Sequence, residues 1–308
     1  MSGFAVVRAV GQRAGVLAGR VASSAESDSG RWTEPGITFA WNARASFARL
    51  GRAPEVAIVV DARLDDRAAL QRTLGLNHAA DDAALILAAY LQWGTACVAR
   101  ITGDFAFVIH DGRTGSLVAG RDPMGVRPLY VAVGREQIVF GNVLGDVASV
   151  PGVDTSVNPD RLRAYVLGEG EDRESTFYRG IRRIPPAHVA VFNGEALRLE
   201  RYWTLENAPD VRLSNDEEYA AAFRELFVQA VADRVPAGQP VASTLSGGLD
   251  SSAVVCALRQ VQGYRSERLH ALSLVFPGLP QADLRRIDER GYVASVVRGG
   301  GLSAHEVR

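Results

Sequence analysis

One segment constrains what this chain can fold into more than any other: an apolar strand pattern that runs through a glycine turn into a helix pattern. Residues 241–252 read VASTLSGGLDSS, and helical spacing of apolar residues continues over 252–262. Gly247 and Gly248 lack a Cβ atom, so the backbone there can turn tightly and come close to a ligand. A second apolar run occupies 269–276. A strand, a helix and a second strand in this order predict a βαβ unit within a parallel sheet.

The turn between the first strand and the helix has the properties of an anion-binding loop. In open parallel sheets, ligands bind beyond the carboxyl ends of the strands, where the positive end of the next helix favours negative charge. We therefore expect a polyphosphate at residues 246–252. The loop is not of the GxxxxGK[ST] type, because the chain contains no lysine, and it is not GxGxxG either. The competing interpretation is that its serines merely cap the helix.

The part of the chain before residue 150 predicts an α+β domain with its helices on the outside. A helix is predicted over 81–94, DDAALILAAYLQWG, where Asp81 or Asp82 can act as the cap, and a shorter helix over 65–73. Turn signals such as Asp111-Gly112 separate the later strands, as expected for antiparallel hairpins. The predicted strands are 3–10, 55–60, 105–110, 116–119, 128–133 and 137–140.

A polar stretch predicts the boundary between two domains. Residues 204–215, TLENAPDVRLSN, contain a proline and show no apolar period, which is typical of a linker. Ser214 and Glu217 then have the spacing of a capping box at the start of the next helix. We expect domains over 1–208 and 209–308. Since the second is small for an α/β domain, we expect it to be a truncated part of a larger one.

The composition bears on partners and location. The formal net charge of −1 provides no electrostatic footprint for nucleic acid or an anionic membrane. Cys97 and Cys256 lack CxxC spacing, so we expect two small, buried apolar residues in a reducing compartment. Neither a signal peptide nor an apolar run of ~18 residues is apparent. We expect a cytoplasmic protein without nucleic-acid or membrane partners, and a homodimer stays open as its assembly.

The glycine loop SGGLDSS resembles the PP-loop, SGGxDS, of the ATP pyrophosphatase superfamily. In that superfamily the loop grips the β- and γ-phosphates of ATP and the pyrophosphate that leaves, while the chemistry takes place at the α-phosphorus. The resemblance implies ATP and Mg²⁺ as ligands, with Asp250 also placing the Mg²⁺ ion, which prefers carboxylate and phosphate oxygens. The residues that it assigns to the pyrophosphate are Ser246, Gly247, Gly248, Asp250, Ser251 and Ser252.

Two further segments extend the resemblance to the asparagine synthetase family. Residues 101–131 contain RDPMGVRPLY and are similar to the family's stretch around RDxxGxxPLY, and 180–203 resemble the segment that leads from its glutaminase domain into its synthetase domain. The resemblance implies an α+β Ntn-hydrolase-like sandwich of the class II amidotransferase type, followed by a partial α/β parallel-sheet PP-loop domain. It also implies that the backbones of Thr244 and Leu274 contact adenine.

The first domain departs from the family's glutaminase pattern at the residues that carry hydrolysis. The family has a cysteine directly after the initiator methionine, whose freed amine activates the thiolate, whereas this chain has Ser2. The family's NGE triplet is replaced by residues 60–62, VDA. Asp82, which the resemblance assigns to substrate binding, and the 121–130 motif remain from the pocket. We therefore expect an inactive glutaminase-like domain, and we assign no catalytic residue to it.

Three charged residues of the remaining motif have two interpretations. Arg121, Asp122 and Arg127 could be functional remnants of the glutaminase pocket, or they could form a structural ion-pair cluster that supports the turn at Pro128. We favour the structural interpretation.

The family resemblance implies an ATP-dependent, AMP-forming amide-bond ligase with a small-molecule or peptide carboxylate as substrate. The carboxylate is adenylated, pyrophosphate leaves, and an amine displaces AMP. Two branches of the family resemble this chain in lacking the cysteine: lasso-peptide cyclases and β-lactam synthetases. Residues 273–290, with SLVFPGLP and DER, favour the lasso-cyclase type, and asparagine formation remains open. The rival class is a non-catalytic pseudoenzyme or scaffold that binds a precursor peptide or a partner subunit.

Overall fold

The chain divides into two compact units, Met1–Pro209 and Asp210–Arg308. The boundary lies within the polar stretch 204–215. The computed structural model describes residues 3–9, 30–42, 48–76, 80–170, 172–235, 239–261, 268–276, 278–280, 282 and 288–307.

The first unit contains two six-stranded sheets, and every strand pairing in them is antiparallel. The first sheet contains, in spatial order, β10 (Arg182–Arg183), β8 (Tyr130–Val133), β9 (Gln137–Gly141), β1 (Gly3–Ala9), β3 (Ile37–Asn42) and β2 (Gly30–Glu34). The second contains β12 (Leu197–Arg201), β11 (His188–Phe192), β7 (Ser116–Arg121), β6 (Gly103–Asp111), β5 (Val56–Leu64) and β4 (Ala48–Ala53).

The central strands are apolar along almost their whole length because both of their faces are covered. In β5, Ile58 and Val60 belong to the core beneath the helices, whereas Ala57 and Val59 belong to the core between the two sheets. β1 contributes in the same alternating way to the core between the sheets and to the core on the outer face of the first sheet. The unit is therefore a layered α+β sandwich with a core on each side of each sheet.

Helices cover the outer faces of the sandwich. Among the described residues of this unit, the helices are α1 (Arg67–Leu74), α2 (Asp82–Trp93), α3 (Leu144–Ala148) and α4 (Pro159–Val166), with 3₁₀ turns at Gly94–Arg100 and Leu205–Asn207. Asp81 caps α2, since its carboxylate accepts a hydrogen bond of 2.8 Å from the backbone N–H of Ala84. The stretch Asp82–Arg100 has the length and composition of a membrane span. Because Leu85, Ile86 and other α2 side chains are buried in the core, α2 is a core helix.

The second unit contains a three-stranded parallel sheet. Its strands, in spatial order, are β13 (Val241–Thr244), β14 (Leu269–Leu274) and β15 (Ser303–Val307). The helices in the described part of this unit are α5 (Asp216–Asp233), α6 (Leu249–Gln260) and α7 (Arg290–Arg298). The small core joins Leu245 and Ala271 to Val255 of α6 and to Val293 and Val296 of α7.

An antiparallel α+β sandwich followed by a parallel α/β sheet confirms the predicted fold class. Six strands of the first unit are absent from the sequence prediction: β2, β3 and β4 before residue 150, and β10, β11 and β12 after it. Of these, β2 and β4 are sheet edges whose sequences are rich in glycine and arginine. The predicted start of the helix after the glycine turn, residue 252, is wrong. The helix begins at Leu249, with Gly248 as its N-cap.

The predicted capping box of α5 is also wrong by one residue. The cap is Asn215, whose side chain accepts from the backbone N–H of Glu218 at 2.9 Å. The Glu218 carboxylate returns to the backbone N–H of Ser214, also at 2.9 Å. The pair of reciprocal bonds exists, but asparagine replaces serine as the capping residue.

Candidate functional site

The glycine loop lies where β13 ends and α6 begins. Leu245, directly after the strand, is completely buried, and Ser246 and Gly247 make the turn to Gly248, the N-cap of α6. The backbone N–H of Ser252 donates to the carbonyl of Gly248 at 3.1 Å, which closes the first helical turn. Gly247 has a φ of +97°, a conformation that side chains with a Cβ rarely adopt. The conformation of this turn therefore requires glycine at residue 247.

A second element closes on the same glycine. A Cβ atom added to Gly247 would lie 2.8 Å from the carbonyl oxygen of Glu289 and 2.9 Å from its Cβ. Glu289 is the N-cap residue of α7. The sequence prediction does not contain α7, although GYVASVV has the apolar spacing of a short helix. The loop is thus enclosed by the start of α6 on one side and the start of α7 on the other.

Two serine side chains fix the shape of the loop. The hydroxyl of Ser251 donates to the carbonyl of Gly248 at 3.2 Å and accepts from the backbone N–H of Ser246, also at 3.2 Å. The hydroxyl oxygens of Ser246 and Ser251 lie 3.0 Å apart. These contacts hold the hydroxyls together on an exposed part of the loop, where they can rearrange toward an anionic ligand.

A cavity of about 460 Å³ lies beside the loop, at the carboxyl ends of the three parallel strands. That volume is within the range of small-molecule sites, ~300–1,000 Å³. Its wall is mainly apolar, and Phe276 at 42% exposure and Leu274 at 61% exposure present side chains to it. The lining residues are Thr244, Leu245, Ser246, Leu272, Ser273, Leu274, Val275, Phe276, Asp288, Glu289, Arg290, Val293 and Val307.

The structure divides the residues predicted for this site into two groups. Thr244, Ser246 and Leu274 line the cavity itself. The others lie on the adjoining loop or in the first turn of α6 and do not form the cavity wall. This second group consists of Gly247, Gly248, Asp250, Ser251 and Ser252.

The donors at the loop fit a hard cation such as Mg²⁺. Asp250 presents an exposed carboxylate in the first turn of α6, beside the hydroxyls of Ser246 and Ser251. Among the described residues, no group of three or more His, Cys, Asp or Glu side chains could hold a metal by itself. A Mg²⁺ ion at Asp250 would therefore take most of its oxygen ligands from phosphate and water, as this ion commonly does.

A separate buried polar cluster lies at the start of β1 in the first unit. The backbone N–H of Phe4 donates to Oδ1 of Asn142 at 2.7 Å, and Nδ2 of Asn142 donates to Asp61 at 2.8 Å. An Arg127 guanidinium nitrogen lies 3.5 Å from the other Asp61 oxygen. Burial raises the pKa of Asp61, and the charge of Arg127 and the Asn142 bond partly oppose this shift. The predicted counterpart of the nucleophile, Ser2, lies outside the described residues.

Asp82 contacts a different residue from those of the Asp61 cluster. It occupies the first turn of α2 and forms an ion pair with Arg67 of α1. Its carboxylate is thus engaged in joining two helices. The role in substrate binding that the resemblance assigns to Asp82 stays a prediction.

The loop 121–127 shows what Arg121 and Asp122 do. The Asp122 carboxylate accepts backbone N–H bonds of 2.9–3.1 Å from Met124, Val126 and Arg127. The Arg121 guanidinium donates to the carbonyls of Gly125, Arg127 and Ile184 at 2.6–2.9 Å. Both residues thus support the loop through backbone groups, which differs from the ion-pair cluster that the structural interpretation predicted. Arg127 instead reaches Asp61.

Cys97 has no catalytic character. It lies buried in the core of the first unit, and burial raises the pKa of its thiol to about 12. Since the thiolate is the nucleophilic form, this thiol is inert near neutral pH. The expectation of a small buried apolar residue is confirmed at Cys97, whereas Cys256 in α6 is partly exposed.

Two family models match successive parts of the chain. A glutamine amidotransferase domain model matches residues 64–203, and an asparagine synthase model matches residues 222–308. The second match contains the glycine loop and the cavity, and the first contains the loop 121–127.

Known proteins with similar sequences carry asparagine synthetase names. "Asparagine synthetase [glutamine-hydrolyzing] 3" of Bacillus subtilis (strain 168) is 31% identical over 174 residues, which cover 56% of this chain and 28% of that protein. "Putative asparagine synthetase [glutamine-hydrolyzing]" of Mycobacterium bovis is 30% identical over 198 residues, covering 62% of this chain and 30% of that protein. The matched segments span less than a third of these relatives' length.

Among solved structures, glutamine phosphoribosylpyrophosphate amidotransferase from B. subtilis, complexed with ADP and GMP, aligns with a TM-score of 0.44 and 11% identity. That alignment covers 99% of this chain and 80% of the other. The order of the two matched domains and the names of the relatives agree with the motifs at residues 101–131 and 246–252. The chain therefore contains a region matched by the glutamine amidotransferase domain model, followed by a region matched by the asparagine synthase model.

Proposed function

We propose that this protein is an ATP-dependent, AMP-forming amide-bond ligase of the asparagine synthetase type. The observation that carries the proposal is the SGGLDSS loop, which lies at the carboxyl end of a parallel strand and opens beside a cavity of about 460 Å³. The cavity has the size and apolar character expected for a nucleoside, and the loop supplies exposed hydroxyls and backbone N–H groups for phosphates. This separation of an apolar wall from a polar loop suits ATP.

In the proposed reaction, an oxygen of the substrate carboxylate attacks the α-phosphorus of ATP and pyrophosphate departs. An amine then attacks the acyl carbon, and AMP leaves as the amide bond forms. Ser246 and Ser251 would hydrogen-bond the departing pyrophosphate, and Thr244 and Leu274 would place the adenosine along the ends of β13 and β14. Mg²⁺ held at Asp250 would supply positive charge beside the phosphate oxygens.

The nitrogen donor is the less determined half of the proposal. The cluster at the start of β1 carries the acidic Asp61, and the chain has Ser2 where the family has a cysteine. We propose that the first unit does not release ammonia from glutamine and that an amine of the substrate itself closes a ring, as in the lasso-peptide cyclase branch. Glutamate released from glutamine by the purified protein above the buffer rate would contradict this.

A second candidate function follows from the exposed apolar side of α5. Tyr219, Phe223 and Leu226 are 43%, 69% and 71% exposed, although they are spaced as one helical stripe. Large exposed apolar stripes often mark binding surfaces. A non-catalytic scaffold that holds a precursor peptide or a partner subunit in the cytoplasm would use such a surface and would need no ATP chemistry.

Exchange of labelled pyrophosphate into ATP separates the two candidates. A ligase shows exchange that depends on an added carboxylate, with aspartate and a peptide carboxylate as the two probes. Asp250→Ala should lower this exchange at least about 100-fold, because charge stabilisation at the phosphates is lost. Asp216→Ala is the matched control, since Asp216 is also an aspartate in the first turn of its helix, α5. The ligase proposal is wrong if the wild-type protein shows no exchange with either carboxylate.

A further inference from the structure

An ion pair at the rim of the cavity has no role in the reaction described so far. Arg290 donates to Asp288 through Nε at 2.8 Å and through Nη2 at 2.7 Å. Both residues line the cavity, and Arg290 is the first residue of α7. The pairing is local, because the backbone N–H of Arg290 also donates to Asp288, at 3.1 Å.

The charges around the cavity explain why this arginine matters. Among the described residues that line the cavity, Arg290 is the only cation, and Asp288 and Glu289 are both acidic. Asp250 adds another carboxylate on the neighbouring loop. The chain has no lysine to balance a triphosphate. A nucleotide placed between the strand ends and the glycine loop would therefore bring its negative charge to Arg290.

We propose that Arg290 is a phosphate-binding residue that donates to the phosphate oxygens of the nucleotide in this cavity, and that Asp288 holds its guanidinium ready for that contact. This inference rests on the proposed binding of ATP. Asp288 uses the Nε and Nη2 donors, so the N–H groups of Nη1 can donate to a further acceptor. A guanidinium is well suited to this role because its fork of donors matches phosphate oxygens.

The exposure of the pair allows it to change partners. The Arg290 side chain is 59% exposed and that of Asp288 is 28% exposed. An ion pair in contact with water contributes little to stability, so the guanidinium can be shared with phosphate at small expense. The bonds from Arg290 lower the pKa of Asp288 to about 2, and the carboxylate stays charged at neutral pH. It therefore orients the arginine throughout the physiological range.

Titration of the full chain with nucleotide tests the role of Arg290. Isothermal titration with ATP, AMP and adenosine, each with Mg²⁺, should show that Arg290→Gln weakens ATP binding about 10- to 100-fold, the usual loss for a charge-assisted hydrogen bond. Adenosine binding should stay within about two-fold of wild type. Arg290→Lys keeps the charge but loses the planar fork, so its ATP affinity should lie between that of the wild type and that of Arg290→Gln.

Two controls make the outcomes distinct. Arg298→Gln changes the last turn of the same helix, where the side chain donates to Ser295, and should leave ATP binding unchanged. Asp288→Asn should lower ATP affinity, but by less than Arg290→Gln, because the amide oxygen can accept only one of the two guanidinium bonds that orient Arg290. ATP binding by Arg290→Gln equal to wild type, while Asp250→Ala weakens it, overturns the inference and leaves the proposed function standing. A wild-type chain that binds no ATP rejects both.

Discussion

The loops 121–127 and 246–251 carry the two motifs of the family, and they use similar residues in opposite ways. Both are tight turns that contain glycine at a positive φ, Gly125 at 67° and Gly247 at 97°. In the first loop, Asp122 is 1% exposed and its oxygens accept three backbone N–H groups. In the second, Asp250 is exposed, and the hydroxyls of Ser246 and Ser251 contact one another and backbone groups of the same loop.

This difference separates a structural motif from a binding motif. A polar group whose hydrogen bonds are all made within the chain has little capacity left for a ligand, and removing it leaves buried partners unsatisfied. A polar group that stays exposed beside a cavity retains that capacity. By this criterion, the motif in the first unit supports the fold, whereas the motif in the second keeps polar groups exposed beside the cavity, as the proposed nucleotide site requires.

The largest effect is expected from breaking the first loop. Asp122→Ala should lower the free energy of unfolding of the first unit by about 3–5 kcal/mol, because three backbone N–H groups lose their acceptor. All four tryptophans lie within the first unit, so tryptophan fluorescence during urea unfolding reports on that unit. Nucleotide binding by the folded protein should not change.

A matched carboxylate shows whether the effect is specific to that loop. Asp154 accepts from the backbone N–H of Ser156 at 2.9 Å in an exposed turn. Asp154→Ala should therefore have a much smaller effect in the same experiment. Equal stability of the Asp122→Ala variant and the wild type would show that the 121–127 motif is not structural.

The sequence predicts the elements of the fold better than the contacts of the site. β5, β6 and α2 could be predicted because their apolar spacing is regular and local, and the core confirms their burial. The turn at Gly247 could be predicted because glycine residues between a strand and a helix have few structural uses. Local features alone thus predicted a polyphosphate at this turn, and ATP was added by the resemblance of SGGLDSS to the PP-loop.

The remaining contacts join residues that are far apart in the sequence. Asn142 bonds to Asp61, 81 residues away, and to Phe4, 138 residues away. The same holds for the closure of Glu289 on Gly247 and for the bond from Arg121 to Ile184. No local spacing encodes such pairs, since the fold brings them together. Only the structure therefore shows which motif residues are hydrogen-bonded within the chain and which are exposed to a ligand.

The second prediction concerns the shape of the binding loop. Gly247→Ala places a Cβ on a backbone with a φ of +97° and within 2.8 Å of the Glu289 carbonyl, so the loop must shift away from α7. ATP affinity should fall about 10-fold or more, with a loss of about 1–2 kcal/mol in the stability of the second unit. Isothermal titration measures the first, and thermal unfolding followed by circular dichroism measures the second.

Gly301→Ala is the matched control for backbone strain. Gly301 also has a positive φ, +74°, but an added Cβ would meet only the Arg259 side chain, at 3.8 Å or more. It should lower stability by a similar or smaller amount and leave ATP affinity unchanged. Equal loss of ATP binding in both variants would mean that strain in the unit, and not the shape of the loop, controls the site.

The smallest expected effect is the pH dependence of the stability that the Asp111 carboxylate contributes through its hydrogen bonds within the chain. Bonds from Arg113 and Tyr90 outweigh burial and lower the pKa of Asp111 from 3.8 to about 2. A carboxylate with a depressed folded-state pKa contributes stability above its unfolded-state pKa and loses it as the pH falls through the folded-state value. Since Arg113 is partly exposed, we expect Asp111→Asn to destabilise the first unit by only about 1 kcal/mol above pH 4.

That difference should shrink between pH 4 and pH 2, because the wild-type carboxylate is protonated over this range. Urea unfolding followed by tryptophan fluorescence at pH 2, 3, 4 and 6 measures it, with the asparagine variant as the reference at each pH. A difference that is the same at all four values would show that the charge of Asp111 contributes nothing. The hydrogen bonds from Arg113 and Tyr90 would then stabilise the fold without any contribution from the charge of Asp111. A carboxylate whose hydrogen bonds are all made within the chain would therefore be weaker evidence for a structural role than the loop 121–127 suggests.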